Sequence, residues 1–478
     1  MNIAIVGTGH LGLVVGACLA SNGNHVCCID HNIEKTQNLN AGHLPFHEPG
    51  LTDLVSEGRQ QGLLCFTHDL AAGIKNAELI FLAIGVPATD YGRANLNGLL
   101  SCAKQLSPLL QEGAIVVIAS TVPPGTCELL HTLLNKARPA QQAGAIHVAA
   151  NPQFLSAGHA ITDFQRPTRV VIGSPDTHVQ QVLETLYEPC SATGAPVLVM
   201  DTRTAEFAKY ACSAMLATRI TMMNELASMA GQMQASVAAM RQVIDLEPGL
   251  RTPHPQPSAG YGGPHLPADL LALIKTAQDV DEPAYLLRSV ERANHRQGRL
   301  LFEAILQHFS HVLRGRRLAV WGLSYAPGTD DVRQAPSIRL ITQLLEAGAR
   351  VQAYDPVASD QAQQAIANHR LAFAPTAYAA CAGADALVVM TAGEEFRHPD
   401  FAMLAKLLNT AAVFDASTLY DTDTVNHHGL QHYPLWQKRQ PVLQQPFNRV
   451  NYPNNQIADP AFNNREIIPC SPSRHDQP

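Results

Sequence analysis

One hexapeptide near the start constrains this chain more than any other feature: GTGHLG, with Gly7, Gly9 and Gly12 at the spacing G-x-G-x-x-G. It follows the β-branched run NIAIV and precedes an apolar helical pattern, so it reads as the turn between a strand and the helix that packs back on it. Gly7 permits the tight turn, Gly9 lets the backbone approach a pyrophosphate, and Gly12 lets helix and strand pack closely. The next strand-like run, HVCCID, ends in Asp30, where a carboxylate accepts hydrogen bonds from adenosine ribose hydroxyls and repels a 2′-phosphate. Strand, turn, helix and acid together predict a dinucleotide site that prefers NAD to NADP.

The alternation continues beyond that site. Short runs LIFLAIG, AIVVIAS, IHVAA and RVVIG are separated by amphipathic helical stretches, the pattern of a parallel sheet covered on both faces. From Thr202 the pattern is continuously helical through TAEFAKYACSAMLATRITMMNELASMAGQM, and it resumes at AYLLRSVERANHRQGRLLFEAILQHF. A second alternating unit begins at RRLAVWG and runs through RVQAYDP, ADALVVM and AAVFDAS. A chain of 478 residues exceeds a single hydrophobic core. The expected fold is therefore α/β, two doubly wound Rossmann-like lobes joined by a long central helical region. The expected parts are 1–200, 201–308, 309–435 and a Pro/Asn/Gln-rich tail at 436–478. That tail has too few apolar residues in period to build a core, and is expected to be disordered or to lie as an arm over a neighbouring subunit.

Composition narrows the function classes. A formal net charge of -7 argues against a polyanion-binding surface, so nucleic acid is not expected as a partner. The opening MNIAIVGTGHLG has no basic leader and its apolar run is broken by glycines, which excludes a signal peptide or a membrane span there and predicts a cytoplasmic protein. The ten cysteines are scattered, the only close pair being Cys27 and Cys28, and no C-x-x-C spacing suggests zinc or a redox couple. None of the 21 histidines forms an H-x-x-x-H or H-E-x-x-H array on a helical pattern that would hold a metal, so no metal is expected.

Several separated motifs, in order, carry a resemblance that runs from Met1 to about Tyr433. They are IAIVGTGHLGLVVGACLA, HEPGL (His47 to Leu51), STVPPGT from Ser120, NPQFLSAGHAITDFQRPTRVVIG from Asn151, KYACSAMLATRITMMNE from Lys209, GYGGPHLPADLLALIKTA from Gly260, YAPGTDDVRQAPS from Tyr325, and YDPVA. The chain resembles the UDP-glucose/GDP-mannose dehydrogenase family, and its UDP-glucose-oxidising members most closely. The resemblance implies an NAD-binding N-terminal lobe, a central helix at a homodimer interface and a C-terminal lobe that binds a nucleotide sugar. It also implies a four-electron oxidation of the sugar C6 alcohol to a carboxylate with two NAD, in the service of polysaccharide precursors. On the family pattern Lys35, Pro87 and Thr121 join Gly7, Gly9, Gly12 and Asp30 at the cofactor. Phe154, Leu155, Lys209, Tyr261, Gly262 and Arg333 meet the substrate, and Thr121, Lys209 and Asp269 serve catalysis.

The departures are as specific as the matches. The family's second oxidation needs a cysteine thiolate, which forms and releases an acyl intermediate; it lies in G-G-S-C-F-P-K-D, which here reads GGPHLPAD. His265 takes the place of that cysteine and Ala268 that of the lysine. Gln153 replaces the glutamate that assists thioester hydrolysis, Ser213 replaces an asparagine, and Ala326 and Ser417 replace two cations expected at the substrate.

Three readings of His265 follow. In one, an ordinary dehydrogenase has found another thiol; Cys212, beside Ser213 on the helical pattern, faces another way. In the second, hydride chemistry survives without a covalent intermediate: Lys209 and Asp269 handle the alcohol proton and His265, with an ordinary pKa near 6.5, acts as general base. In the third, the chain binds NAD and has lost catalysis, with a regulatory or scaffolding role. Lys209 favours chemistry, since a lysine on an apolar helix is costly without a partner or a function. Thr121, at a strand end, suits ligand contact or simple turn chemistry. Asp330 and Asp331 are expected to cap or brace the turn before a helix. Arg169 reads equally as a surface charge or as a brace for the lobe.

Overall fold

Most of the β-branched runs, those at Asn2–Val6, Leu79–Leu82 and Ile115–Ile118 above all, are buried on both faces because helices cover both sides of two sheets. The structure, a computed structural model, describes residues 1–89, 91–136, 145–192, 194–250 and 255–436. Apart from Trp436, the expected tail lies outside the described residues. The first sheet contains β1 (Asn2–Val6), β2 (His25–Ile29), β3 (Leu64–Thr67), β4 (Leu79–Leu82), β5 (Ile115–Ile118), β6 (His147–Ala150), β7 (Val170–Gly173) and β8 (Val197–Met200), in the order β3-β2-β1-β4-β5-β6-β7-β8. Alternation sends Ile3 and Ile5 of β1 to the core shared with Leu13 and Phe81, and Ala4 and Val6 to the core on the opposite face with Ile80 and Val116.

Strand order reverses between β1 and β4, so the crevice at their carboxyl ends is where such a sheet takes a ligand. The expected parallel pairing holds from β3 through β6. β7 runs antiparallel to β6 and meets it at one pair, Ala150 and Gly173. A Cβ on Gly173 would stand 2.6 Å from Ala205 Cβ, so glycine is what lets the helix after β8 press against the sheet there.

That helix, Thr202–Gln232, has 31 residues and is capped by Asp201, whose side chain accepts from Thr204 N. Its residues Tyr210, Ala214 and Ala217 pack on Leu270, Leu273 and Ile274 of the helix Leu266–Asp279 and on Val290 of the helix Tyr285–His308. Phe207, Met215, Leu216, Met222 and Met229 of the central helix are exposed.

The second sheet contains β9 (Arg317–Trp321), β10 (Arg350–Tyr354), β11 (Leu371–Phe373), β12 (Ala386–Val389), β13 (Ala412–Asp415) and β14 (Gln431–Pro434). All are parallel, in the order β11-β10-β9-β12-β13-β14. Its own reversal lies between β9 and β12. There Gly322 sits at φ +82 with no room for a Cβ beside Thr391. The lobes touch at Gly158, where a Cβ would fall 2.4 Å from Pro327 O. Among the described residues no helix is long and apolar enough to cross a membrane.

Candidate active site

The glycine turn is built as its spacing requires. Gly7, at φ +104, follows β1 and would drive a Cβ to 2.5 Å from Ala83 O; a Cβ on Gly12 would fall 1.9 Å from Gly7 O. Gly9 caps the helix His10–Ser21, and a Cβ there would meet nothing within 4 Å. The turn is therefore closed on its protein side and open on the other. An anion at this helix N-terminus meets free backbone N–H groups and the positive end of the helix dipole. The residues thus fit a dinucleotide pyrophosphate.

Asp30 stands beside that turn and is buried. Its Oδ2 accepts from Thr8 N at 3.1 Å, Thr8 Oγ1 at 2.7 Å and Lys35 Nζ at 2.9 Å, while Oδ1 accepts from Asn32 N at 3.1 Å. Burial alone would raise this carboxyl; the donors from Thr8, Lys35 and Asn32 outweigh it and hold the group at about 2. Asp30 is thus a fixed anion, suited to ribose hydroxyls and hostile to a 2′-phosphate.

Two of the cavities between the lobes share a wall. The first, about 380 Å³, is lined by Thr8, Gly9, His10, Lys35, Thr121 and Arg333 among others. The second, about 450 Å³, takes in Ser213, Tyr261, Gly262, Asp269, Ala326 and Ser417. Leu155, Ala157, Lys209, His265 and Tyr325 line both. The central helix supplies Lys209 to this shared wall, and the residue preceding the helix Leu266–Asp279 supplies His265.

Lys209 is half-buried, its Nζ 5.0 Å from the Phe154 ring centroid. Burial lowers its pKa, and the Asp269 carboxylate opposes that fall. Asp269 is buried, accepts from Ser213 Oγ at 2.8 Å, and is raised by burial against the pull of Lys209 and Ser213. The two act on each other through their fields rather than through an ion pair. His265 is open to the cleft solvent, yet enclosure by the cleft walls, then the cations Lys209 and Arg333, depress it to about 4. Solvent contact limits how far the depression goes; its direction is set by walls and cations alike. Among the described residues no carboxylate hydrogen-bonds the imidazole. Walls and cations thus move the ring away from the ordinary histidine value expected from the sequence, toward the neutral form at neutral pH.

Other expected positions fall away from the junction. Pro87 is exposed in the loop after β4 and lines neither cavity. Phe154 lines neither of the two cavities above but a small one of about 60 Å³, with the Arg169 guanidinium 3.8 Å from its ring centroid. Arg169 is thus a brace, stacked on Phe154 and reaching Cys212 Sγ at 3.7 Å. Cys212 is exposed and lines none of these cavities. Arg333 lines the first cavity, where Asp331 Oδ1 accepts from its Nε at 2.9 Å. Gln153 Nε2 donates to Asn151 O at 3.0 Å and to Tyr187 Oη at 3.0 Å, so its amide is bound into the loop. Among the described residues lining the second cavity, Lys209 is the one lysine or arginine. No group of three or more His, Cys, Asp or Glu able to hold a metal occurs among the described residues.

Two features escaped the sequence. Glu48, in the quoted HEPGL, is buried and accepts from Gly158 N at 2.9 Å and Ala160 N at 2.8 Å, with His10 Nε2 2.8 Å from its Oε2. Burial pushes Glu48 up, and these partners together bring it below the usual glutamate value. The carboxylate therefore ties the glycine turn to the loop that touches the second lobe. Tyr325 is the other: its ring lies where a Cβ on Gly263 would stand 2.7 Å away, and burial raises its phenol to about 12. The glycines of GYGGP are the one trace in the sequence of this close approach, and they do not name the partner.

Comparison with known proteins agrees with this geometry along most of the chain. Residues 1–191 match the UDP-glucose/GDP-mannose dehydrogenase family NAD binding domain, residues 203–296 its central domain and residues 319–422 its UDP binding domain. A UDP-glucose 6-dehydrogenase of Pseudomonas aeruginosa is 39% identical over 426 residues, 88% of this chain and 94% of that protein. A UDP-glucose 6-dehydrogenase of Rhizobium meliloti is 36% identical over 435 residues, 90% of this chain and 98% of that one. The solved UDP-glucose dehydrogenase of the hyperthermophilic archaeon Pyrobaculum islandicum superposes with a TM-score of 0.83 at 27% identity, covering 91% of this chain and 98% of its own.

Proposed function

The chain belongs to the UDP-glucose/GDP-mannose dehydrogenase family, with NAD as cofactor, and we propose that it oxidises the C6 alcohol of a UDP-glucose-like nucleotide sugar to the aldehyde without a covalent intermediate. The observation that carries this reading is the wall common to both cavities, where Lys209 and His265 stand between the cofactor turn and the second lobe. NAD supplies the hydride acceptor when it is bound. Gly7, Gly9 and Gly12 with the helix N-terminus would hold its pyrophosphate, Asp30 its adenosine ribose, and Thr121, just beyond β5, the end that reaches the shared wall.

The proton is the task of this chain's own residues. A general base works best with a pKa near the working pH. Burial moves Lys209 down toward that range, whereas enclosure and neighbouring cations move His265 away from it. In this reading Lys209 takes the hydroxyl proton, directly or through one water, and Asp269 steadies the ammonium that results. Ser213 holds Asp269 in place. His265 offers a neutral hydrogen bond to the sugar rather than removing its proton. Oxidation stops at the aldehyde because neither imidazole nor the bound amide of Gln153 replaces the thiolate and carboxylate of the second step. A homodimer belongs to the same reading, supported by the exposed Phe207, Met215, Leu216, Met222 and Met229 on the central helix.

The test is NADH formation by the purified full chain with UDP-glucose and related nucleotide sugars, with mass spectrometry of the product. An aldehyde or its hydrate at one NADH per sugar supports the proposal. The uronic acid at two NADH per sugar would sink it. A second reading, an NAD-binding protein without catalysis, is favoured by the second cavity, where a diphosphate would meet Lys209 but neither cation replaced by Ala326 and Ser417. NADH binding without NADH formation from any sugar would select it.

A further inference from the structure

We propose that Cys27 and Cys65 form a reversible disulfide site on the edge of the first sheet, closed by hydroperoxides and opened by thiols. The two residues are far apart in sequence, but β2 and β3 pair in parallel with Cys27 directly beside Cys65 in register. Register partners on adjacent strands point to the same face. Here that face carries Cys27, half-buried, and Cys65, exposed, whereas Cys28 points to the opposite core. β3 is the outermost strand of the sheet, so solvent and small oxidants reach the pair from the open side.

The chemistry is asymmetric in a useful way. The interaction with Cys65, then burial, raises Cys27, and the same interaction brings Cys65 down to about 7. Cys65 is therefore the attacking thiolate and Cys27 the resolving thiol, one exposed and the other sheltered. In the first step Cys65 sulfur attacks the terminal peroxide oxygen, the O–O bond breaks, and an alcohol leaves as Cys65 becomes a sulfenic acid. In the second, Cys27 sulfur attacks Cys65 sulfur and water leaves. Two thiols have lost two electrons and two protons; the hydroperoxide has become one alcohol and one water. Neighbouring strands lie about 4.8 Å apart, within the Cα separation that disulfides adopt but wider than their preferred Cβ spacing. Such a bond is under tension and exposed, the condition under which disulfides are readily reduced again.

The experiment treats the reduced full chain with hydrogen peroxide, blocks remaining thiols, and maps cysteines by peptide mass spectrometry, with C27S and C65S alongside. The expected result is a peptide pair joined through Cys27 and Cys65, lighter by two hydrogens and restored by a thiol reductant. C65S should give no such pair. C27S should leave Cys65 as a sulfenic acid that a dimedone probe captures. Recovery of both cysteines as free thiols, or of Cys65 as sulfonic acid with Cys27 still reduced, would overturn the proposal. So would equal reactivity of Cys212, the other exposed thiol among the described residues, because exposure alone would then explain the result.

Discussion

Ser213 on the central helix holds Asp269 on the neighbouring helix at 2.8 Å, and among the described residues this is the one hydrogen bond to the side chain of a buried carboxylate that answers Lys209. Replacing Ser213 with Ala leaves that carboxylate short of a donor, which costs about 1–3 kcal/mol. Asp269 is already raised above 3.8 by burial, so its ionisation opposes folding. Stability from this group is full below the unfolded value and declines as pH rises through the raised folded value. The deficit of S213A in urea denaturation should therefore be largest at neutral pH and shrink as pH falls toward 3.8. A deficit that does not vary with pH would detach Ser213 from the ionisation of Asp269.

Lys209→Met should lower NADH formation by about 10²–10⁴, the usual worth of a positioned acid or base. Binding of NADH, measured by fluorescence titration, should change little, since the adenosine half of the site is built from Gly7 to Asp30. Loss of binding and turnover together would mean that Lys209 acts on the cofactor instead.

His265→Ala should keep most of the turnover, because a ring depressed to about 4 is a poor base at neutral pH. His265→Cys alone should yield no uronic acid, since Gln153 still donates its amide to Asn151 and Tyr187 and offers no carboxylate for hydrolysis. Acid product from H265C, read by mass spectrometry, would show that the thiol by itself suffices.

Gly12→Ala forces a methyl into the 1.9 Å approach to Gly7 O. Overpacking of this kind costs about 1–3 kcal/mol, here as displacement of the turn. NADH affinity should fall roughly 5- to 150-fold on the same scale. Unchanged affinity would place the dinucleotide elsewhere.

Asp30→Asn removes a carboxylate whose folded pKa, about 2, lies below the model-peptide value of 3.8. The stabilisation from such a group is complete above the unfolded value and disappears as pH drops through the folded one. Wild type should exceed D30N in stability by a constant margin at neutral and mildly acidic pH, with the margin closing between 3.8 and about 2. Denaturant melts across that range would expose the opposite trend if Asp30 were strained rather than stabilised. The same variant should bind NADH less tightly.

Local patterns announced most of the architecture. The glycine turn, Asp30, the long helix from Thr202 and the strands of both sheets depend on short-range spacing, which a single chain displays. What stayed hidden depends on distant residues meeting. His265 looked like an ordinary imidazole because the cleft walls that enclose it, and then the charges of Lys209 and Arg333, arrive from other elements. Phe154 sat inside a matching motif, yet its ring serves Arg169 and Lys209. Cys27 and Cys65 were two scattered thiols until strand register set them side by side. Glu48 was quoted within a motif with no task, because its partners Gly158 and Ala160 lie more than a hundred residues on.

The touch between Gly158 and Pro327 has a consequence for the gap between the lobes. With a Cβ excluded at 2.4 Å from a carbonyl oxygen, the two halves meet main chain to main chain at that spot. Rotamers come and go, but a stop made of peptide units does not wear or flex with them. A heavier side chain at position 158 would therefore jack the two halves apart at that spot.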